Sequence, residues 1–214
     1  MNKFRCLVAL FFGIIVQSHG SVLQTPTIEN PVNVAPRANI TASSVYQNDD
    51  RFGVQRLVDG STSPDWANSW QAQGTLEGSG MRGTLPAWLI FDLQSDYILS
   101  TVSFFNTVNY PHQDTGTKEF NIQVSSDGVN YSSPLISGQL EWQNQTYQDY
   151  SFDNPVSARY VQINLISAYV STFNGLYNRV GLNEVQIKAV PEPSSLSLLV
   201  FGGLALVLNK RRRA

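Results

Sequence analysis

The chain has 214 residues, 42% of them apolar and 14% charged, which is enough to bury one core of ordinary size. Of the 14 basic residues, six lie at the two ends of the chain, and of the 16 acidic residues, one follows position 190. Positions 21–190 therefore carry 8 basic and 15 acidic residues, a net charge of -7. Phosphate backbones require a basic surface, so nucleic acid is excluded as a partner and anionic membrane surfaces are disfavoured. The single cysteine, Cys6, excludes an internal disulfide and a zinc-thiolate site.

The first 20 residues have the organisation of a secretory signal peptide. A basic start at Lys3 and Arg5 precedes the apolar run Leu7–Val16, and Ser18-His19-Gly20 forms a small-x-small site, which predicts cleavage after position 20. A buried N-terminal helix is the alternative. Residues 21–36 contain three prolines and no sustained periodicity, so we interpret them as a linker.

Residues 37–189 are predicted to form one all-β domain. Short segments rich in β-branched and aromatic residues recur between Gly, Asn, Asp and Pro, a spacing typical of a β-sandwich or barrel. Apolar and polar residues alternate in Phe120–Val124 and Tyr160–Leu165, and Asp127-Gly128 predicts a tight turn. The predicted strands are Ala87–Leu93, Tyr97–Asn106, Lys118–Ser125, Gln148–Phe152, Ala158–Ser167 and Leu182–Ala189.

Residues 190–214 combine a proline motif, an apolar run and a basic end. Pro191-Glu192-Pro193 precedes the nearly continuous apolar stretch Ser194–Leu208, which is shorter than the ~20 residues that span a bilayer comfortably, and Lys210–Arg213 follow. This arrangement resembles the PEP-CTERM sorting signal of Gram-negative bacteria. The resemblance implies transient anchoring in the inner membrane through the hydrophobic helix, cleavage by an exosortase, and delivery to the cell surface or extracellular matrix. A simple C-terminal anchor is the alternative.

Several short segments of the predicted domain occur in a recognisable order. They are Leu57-Val58-Asp59-Gly60, Trp70, Ala87–Leu93, Ser125–Tyr131, Ala158–Val161 and Leu182–Val185. In this order they resemble the discoidin, or F5/8 type C, domain of the galactose-binding-like fold, to which family 32 carbohydrate-binding modules belong. The resemblance implies an eight-stranded jelly-roll β-sandwich with binding loops at one end. It also implies that Trp70 and Trp88 lie in the core.

The same resemblance implies a structural calcium ion. The matching residues are Asp59 and Glu184 as carboxylates, Arg56, Ser61 and Asn183 as backbone carbonyls, and Asn68 in place of the family's Thr. Asn68 takes this place when Trp70 is aligned with the family's Trp, whereas an ungapped count gives Pro64. Carboxylate, carbonyl and amide oxygens all suit calcium. In the alternative interpretation Asp59 caps a turn and Glu184 is a solvated charge at a strand edge.

Two predicted loops have the composition of a sugar-binding site. Asn109–Asp114 and Tyr169–Arg179 combine aromatic rings, which stack on sugar faces, with amide, His and Arg side chains, which pair with hydroxyls. The candidate ligand-binding residues are Tyr110, His112, Phe173, Asn174, Tyr177 and Arg179. Alternatively, these residues shape turns or fasten a long loop to the sandwich. Trp66 and Trp142 are predicted as further exposed aromatic residues.

The sequence predicts a binding protein and not an enzyme. It contains no Gly-x-Ser-x-Gly, His-Glu-x-x-His or Gly-Lys phosphate-binding motif, and no catalytic residue is predicted. We therefore expect an exported surface or extracellular-matrix protein whose domain binds extracellular or cell-surface polysaccharide or mediates adhesion. A structural matrix or biofilm component without a specific small ligand, and a phospholipid-binding module, are the alternatives.

Overall fold

The computed structural model describes residues 30–63, 66–77, 80–107, 116–142, 144–169 and 179–191, and their regular structure is mostly β-strand. The predicted signal peptide and nearly all of the sorting tail lie outside these residues. The strands are β1 (Val32–Asn33), β2 (Asn39–Ala42), β3 (Trp70–Gln71), β4 (Gly74–Glu77), β5 (Gly80–Gly83), β6 (Ala87–Asn106), β7 (Glu119–Ser125), β8 (Ile136–Gln139), β9 (Gln148–Leu165) and β10 (Gly181–Ala189). Short 3-10 turns occupy Ala35–Arg37, Tyr46–Asn48, Asp50–Phe52, Val54–Leu57 and Trp66–Asn68. The predicted all-β class is confirmed.

The long strands β6 and β9 organise the main sheet into two layers. The first part of β6 pairs with β2 and with the second part of β9, and β7 and β8 extend this front layer. The second part of β6 pairs with the first part of β9 and with β10, which also pairs with β1 and β3 in the back layer. All these pairings are antiparallel. Strands β4 and β5 form a separate hairpin.

Strand β6 changes layer at Gln94. This residue has a left-handed backbone, with φ of 68°, and its N–H donates to Asp92 Oδ1 at 2.9 Å. The register against β9 shifts between Asp92 and Tyr97. The sequence predicts separate strands on the two sides of this bend, and the structure joins them into one. The two predicted strands from Gln148 to Ser167 are likewise joined in β9.

The core lies between the two layers and is built from alternate residues of the strands. Phe91, Phe120 and Ile163 point inward from the front layer and are buried, and Trp70 of β3 is fully buried, as predicted. Inward alternation is the pattern of a strand with one face on a core.

Trp88 does not belong to this core. It lies between the buried residues Ala87 and Leu89 of β6, so its side chain is on the outer face of the front layer, where it is half-buried. The prediction that Trp88 is a core residue is wrong, because the two-residue period of a strand places it on the opposite face from its neighbours.

Three aromatic rings hold the layers together inside the core. Phe104 of β6 and Phe120 of β7 have ring centroids 4.7 Å apart, and Tyr150 of β9 packs edge-on against Phe120 at 4.7 Å. The Tyr150 hydroxyl donates to the carbonyl of Gln139. The rings come from both layers, so they join the front layer to the back layer directly.

The sandwich has two dissimilar ends. The loop end consists of 44–53, 71–74, 116–118, 140–142, 166–169 and 179–180. The opposite end, which we call the tail end, contains Asn30, Gln94–Asp96, Ser126–Asn130 and Val190–Pro191, because β1 and β10 pair there. At the tail end Gly128 has φ of 74° and the N–H groups of Val129 and Asn130 donate to Asp127, which confirms the predicted turn. In the part of the chain that the structure describes, no helix is long and apolar enough to cross a membrane.

Candidate functional site

Both predicted ligand loops start and finish at the loop end. The N–H of Tyr169 donates to the carbonyl of Gly116 at 2.9 Å, and Thr117 forms a bridge with Ala168. The Thr117 hydroxyl donates to the carbonyl of Gly181 at 2.9 Å, which connects this corner to β10. The candidate residues that lie outside the described residues are Tyr110, His112, Phe173, Asn174 and Tyr177. Their placement stays a prediction, while the residues that flank both loops meet.

Trp142 and Tyr169 form an aromatic platform at this corner. Their rings are stacked, with centroids 5.6 Å apart and an interplanar angle of 16°. The Tyr169 hydroxyl donates to the carbonyl of Leu140 at 2.8 Å, and Lys118 Nζ lies 6.0 Å from the Tyr169 ring centroid. Trp142 is 37% exposed, as predicted from the sequence. The hydrogen bond to Leu140 thus holds the Tyr169 ring in place, and part of the Trp142 indole is open to solvent.

Arg179 is the one candidate ligand residue within the described residues. Its side chain is only 4% exposed, and its guanidinium carbon lies 3.9 Å from the ring centroid of Tyr46. Tyr46 in turn packs edge-on against Phe52 at 5.2 Å. Such a buried arginine on an aromatic face holds the ring in place. The structure therefore gives Arg179 a contact that positions Tyr46, and its role toward a ligand stays a prediction.

The segment after β2 also belongs to the loop end, although it is not one of the two predicted ligand loops. Gln47 and Asn48 both have left-handed backbones, with φ of 54° and 52°, and the Gln47 N–H donates to Gln73 Oε1 at 2.7 Å. Left-handed residues other than glycine are uncommon and often lie at functional sites. Tyr46, Gln47 and Asn48 have the same aromatic and amide composition as the two selected loops, so this signal was available in the sequence.

The fold brings the two predicted calcium carboxylates together. Gly60 donates its N–H to Glu184 Oε1, and Ser61 donates its N–H to Asp59 Oδ1 at 2.8 Å. Burial and the neighbouring Asp59 carboxyl group raise the pKa of Glu184 to about 7, against the lowering effect of the Gly60 hydrogen bond. Glu184 is 3% exposed, so the alternative of a solvated charge at a strand edge does not describe it.

The remaining predicted metal ligands lie on chain segments next to this pair. Asn183 Nδ2 donates to the carbonyl of Ser63, and Asn183 Oδ1 is buried without a donor among the described residues. Asn68 ends a 3-10 turn two residues before Trp70, which pairs with Leu182. The Arg56 guanidinium binds Asp59 Oδ2 at 3.2 Å, whereas the predicted ligand atom of Arg56 is its backbone carbonyl oxygen.

The chemistry of these donors fits a hard cation. Within the described ranges, no group of three or more His, Cys, Asp or Glu side chains could hold a metal ion. A site here would therefore combine the carboxylates of Asp59 and Glu184 with amide and backbone oxygens. This mixture suits calcium, because calcium takes six to eight oxygen ligands of different kinds.

The comparisons with known proteins agree with this architecture. The family model of the F5/8 type C domain matches residues 39–180, so the chain belongs to the F5/8 type C domain family. The comparison with curated protein sequences gave no match.

Among similar solved structures, a fragment of a putative chitobiase from Bacteroides thetaiotaomicron has a TM-score of 0.60 and 20% identity, and the match covers 80% of this chain and 98% of that one. The family 32 carbohydrate-binding module of Clostridium perfringens NanJ, in complex with galactose, has a TM-score of 0.55 and 16% identity. This match covers 74% of this chain and 99% of that one. A module from the same organism, CpGH89CBM32-5 in complex with GalNAc-beta-1,3-galactose, has a TM-score of 0.55 and 15% identity. This match covers 74% of this chain and 100% of that one. These likenesses show the fold.

Proposed function

We propose that this domain is a non-catalytic carbohydrate-binding module whose loop end holds the sugar. The observation that carries the proposal is the platform of Trp142 and Tyr169, because its exposed indole lies where both predicted ligand loops begin and end. Sugar C–H groups favour the face of an aromatic ring, and neighbouring polar groups orient the hydroxyls. Similar structures with bound galactose and GalNAc-beta-1,3-galactose support carbohydrate as the ligand class.

A glycan array followed by titration of the best ligand tests this proposal. Trp142→Ala is expected to weaken binding by about tenfold, since loss of a stacking contact of this size corresponds to roughly 1.4 kcal/mol. Val129→Ala is the matched control, because Val129 is 78% exposed but lies at the tail end. Equal affinities of Trp142→Ala and the unchanged protein would argue against the platform. Absence of binding to every glycan would favour the structural matrix alternative.

The proposed setting is the cell surface or extracellular matrix of a Gram-negative bacterium. The support comes from the sequence of the two ends, a secretory signal over residues 1–20 and a PEP-CTERM-like tail over 190–214. In this proposal the hydrophobic segment holds the chain transiently in the inner membrane until an exosortase cleaves near Pro191–Pro193. The partner outside the cell is then a polysaccharide of the surface or matrix, which gives the protein its adhesive role.

The proposal includes a structural calcium ion bound by Asp59 and Glu184. Asn183 and Asn68, together with the carbonyls of Arg56 and Ser61, would complete its oxygen ligands. The support is the proximity of two carboxyl groups on segments far apart in sequence, one of them buried. When bound, calcium would neutralise this pair and fasten the Asp59 turn to β10.

A further inference from the structure

The outer face of the front layer carries an unusual set of side chains. We call it the amide face; its members are Trp88, Ile90, Asn121, Gln123, Gln162 and Asn164. Pairing between β6, β9 and β7 places Trp88, Asn164 and Asn121 in one row across the strands, and Ile90, Gln162 and Gln123 in the next row. All six residues are half-buried. The two rows cover roughly 10 Å between β6 and β7, because neighbouring strands lie ~4.8 Å apart.

Hydrogen bonds fix the four amides relative to one another. Asn164 Nδ2 donates to Asn121 Oδ1 and to Gln123 Oε1, both at 2.8 Å, and its Oδ1 accepts from Gln162 Nε2 at 2.8 Å. Gln123 Nε2 donates to the carbonyl of Ser132 at 2.6 Å. Long polar side chains on an open strand face normally sample several rotamers. Because this network already orders the four side chains, a ligand that binds them would cost less conformational entropy.

The network does not use every polar atom of the amide face. Among the described residues, nothing accepts from Asn121 Nδ2 and nothing donates to Gln162 Oε1. A donor therefore remains available on β7, in the row of Trp88, and an acceptor on β9, in the next row. Paired donors and acceptors beside an indole are what a sugar ring with adjacent hydroxyls requires.

The lack of charged side chains in the amide face favours an uncharged ligand. None of its six residues is charged, although positions 21–190 as a whole carry -7. The outer face of the back layer differs, since Lys188 and Asp149 form an ion pair there at 3.1 Å. Two acidic residues lie in the rows next to this face. Asp92 is neutralised by its ion pair with Arg159 at 2.7 Å, and the Glu119 carboxylate, two residues before Asn121, accepts from Gln139 Nε2 and Ser167 Oγ. An uncharged ligand meets no repulsion on this face, whereas the acidic domain repels a polyanion.

We infer that the amide face is a second glycan-binding surface, separate from the loop end, and that it binds a neutral polysaccharide chain lying across β6, β9 and β7. The inference goes beyond the proposed function, because it uses different residues and a different kind of contact. The loop end would recognise a short sugar unit, and the amide face would hold the flat side of a longer chain. Binding at two places would increase the affinity for polymers over oligosaccharides.

Affinity electrophoresis of the full-length protein through gels containing a soluble polysaccharide tests the inference. Neutral probes are galactomannan, xyloglucan and mixed-linkage β-glucan, and the charged probes are alginate and polygalacturonate. We expect at least one neutral probe to retard the protein, and Trp88→Ala or the double variant Gln162→Ala/Asn164→Ala to weaken retardation about tenfold. Gln186→Ala, an amide variant on β10 in the back layer, is the matched control and should behave like the unchanged protein.

Two further measurements separate this surface from the loop end and from unfolding. The amide-face variants should keep the oligosaccharide affinity of the loop end, which Trp142→Ala weakens. Asn121→Asp keeps the oxygen that accepts from Asn164 and removes only the Nδ2 donor, so a loss of retardation at an unchanged melting temperature supports a direct contact. The inference is overturned if no neutral polysaccharide retards the protein, if the amide-face variants are retarded like the control, or if these variants instead alter self-association in gel filtration.

Discussion

At the scale of single residues, Gly60 connects the Asp59 turn to β10 through its backbone. Its φ of 79° lies in the left-handed region, which costs other L-residues roughly 1–2 kcal/mol. A Cβ atom added to Gly60 would meet nothing within 4 Å, so conformation and not space makes glycine the suitable residue. This conformation directs the Gly60 N–H to Glu184. One residue thus holds together two carboxyl groups that the sequence separates widely.

The proposed calcium ion leads to a prediction about these carboxylates. Removing calcium with EGTA should lower the melting temperature of the unchanged protein, because an ion that binds only the folded state stabilises it by about 2.7 kcal/mol at a hundredfold excess over its Kd. Glu184→Gln and Asp59→Asn should abolish the difference between calcium and EGTA. Differential scanning calorimetry at neutral pH measures both effects.

A tail-end carboxylate provides the control for the calcium measurement. Asp96→Asn changes an exposed carboxylate at the other end of the sandwich and should retain the full response to calcium. If the unchanged protein melts at the same temperature in calcium and in EGTA, the calcium proposal fails. The contact between Gly60 and Glu184 would then be a structural hydrogen bond only.

At the scale of elements, the ring of Phe104 in β6 packs against an aromatic ring of β7 and against one of β9. Phe104→Ala is expected to lower the free energy of unfolding by ~3–5 kcal/mol, since the neighbouring rings Phe120 and Tyr150 can collapse only partly into the cavity. Ile98→Ala, in the same strand, should change it by less than ~0.5 kcal/mol because Ile98 is 41% exposed. Urea unfolding of both variants checks this difference, and equal losses would contradict the two-layer packing.

The strands with clear alternation could be predicted from the sequence, and the short or bent ones could not. In β7 and the second part of β9, every second residue is apolar, so one buried face is visible in the sequence alone. Strand β2 has only four residues, and β8 contains Gly138 and polar neighbours, so neither presents a long enough pattern. The continuity of β6 depends on the left-handed Gln94, which side-chain composition does not reveal.

The candidate sites could be predicted only in part, because their residues come from segments that are far apart in the sequence. Asp59 and Glu184 could be paired only through the family resemblance, because tertiary structure joins them. Trp142 was predicted as exposed, but its partner Tyr169 emerges from the folding of two separate segments. The amide face was not predicted at all, since its members come from three strands and each residue alone has the composition of an ordinary solvated strand.

At the scale of the whole molecule, the described chain enters and leaves at the end opposite the proposed sugar site. Val32 pairs with Ala189, so the segments leading to both termini are adjacent at the tail end. Strand β10 runs from Gly181 at the loop end to Ala189, a length of roughly 30 Å at ~3.3 Å per residue. A domain held through its C-terminal segment would therefore present the loop end away from the point of attachment, as surface display requires.

Two aspartates, Asp92 and Asp127, make the stability of the sandwich depend on pH in the acidic range. The Arg159 guanidinium, which binds Asp92 at 2.7 and 2.9 Å, holds the pKa of Asp92 below its usual range. The N–H groups of Asn130 and Val129 lower the pKa of Asp127 in the turn after β7. A carboxyl group with a lowered pKa in the folded state stabilises the protein above its unfolded pKa of about 3.9, and this stabilisation is lost as the pH falls through the folded value.

The melting temperature should therefore be insensitive to these two groups from neutral pH down to about pH 5 and should fall below about pH 4. Asp92→Asn should melt at a lower temperature than the unchanged protein at pH 7, and the difference between their melting temperatures should shrink as the pH falls below about 4, because protonation removes the same ion pair. Asp153→Asn, an exposed carboxylate in β9, should follow the unchanged protein throughout. A difference between Asp92→Asn and the unchanged protein that stays constant down to pH 2 would show that Asp92 acts through packing and not through its charge.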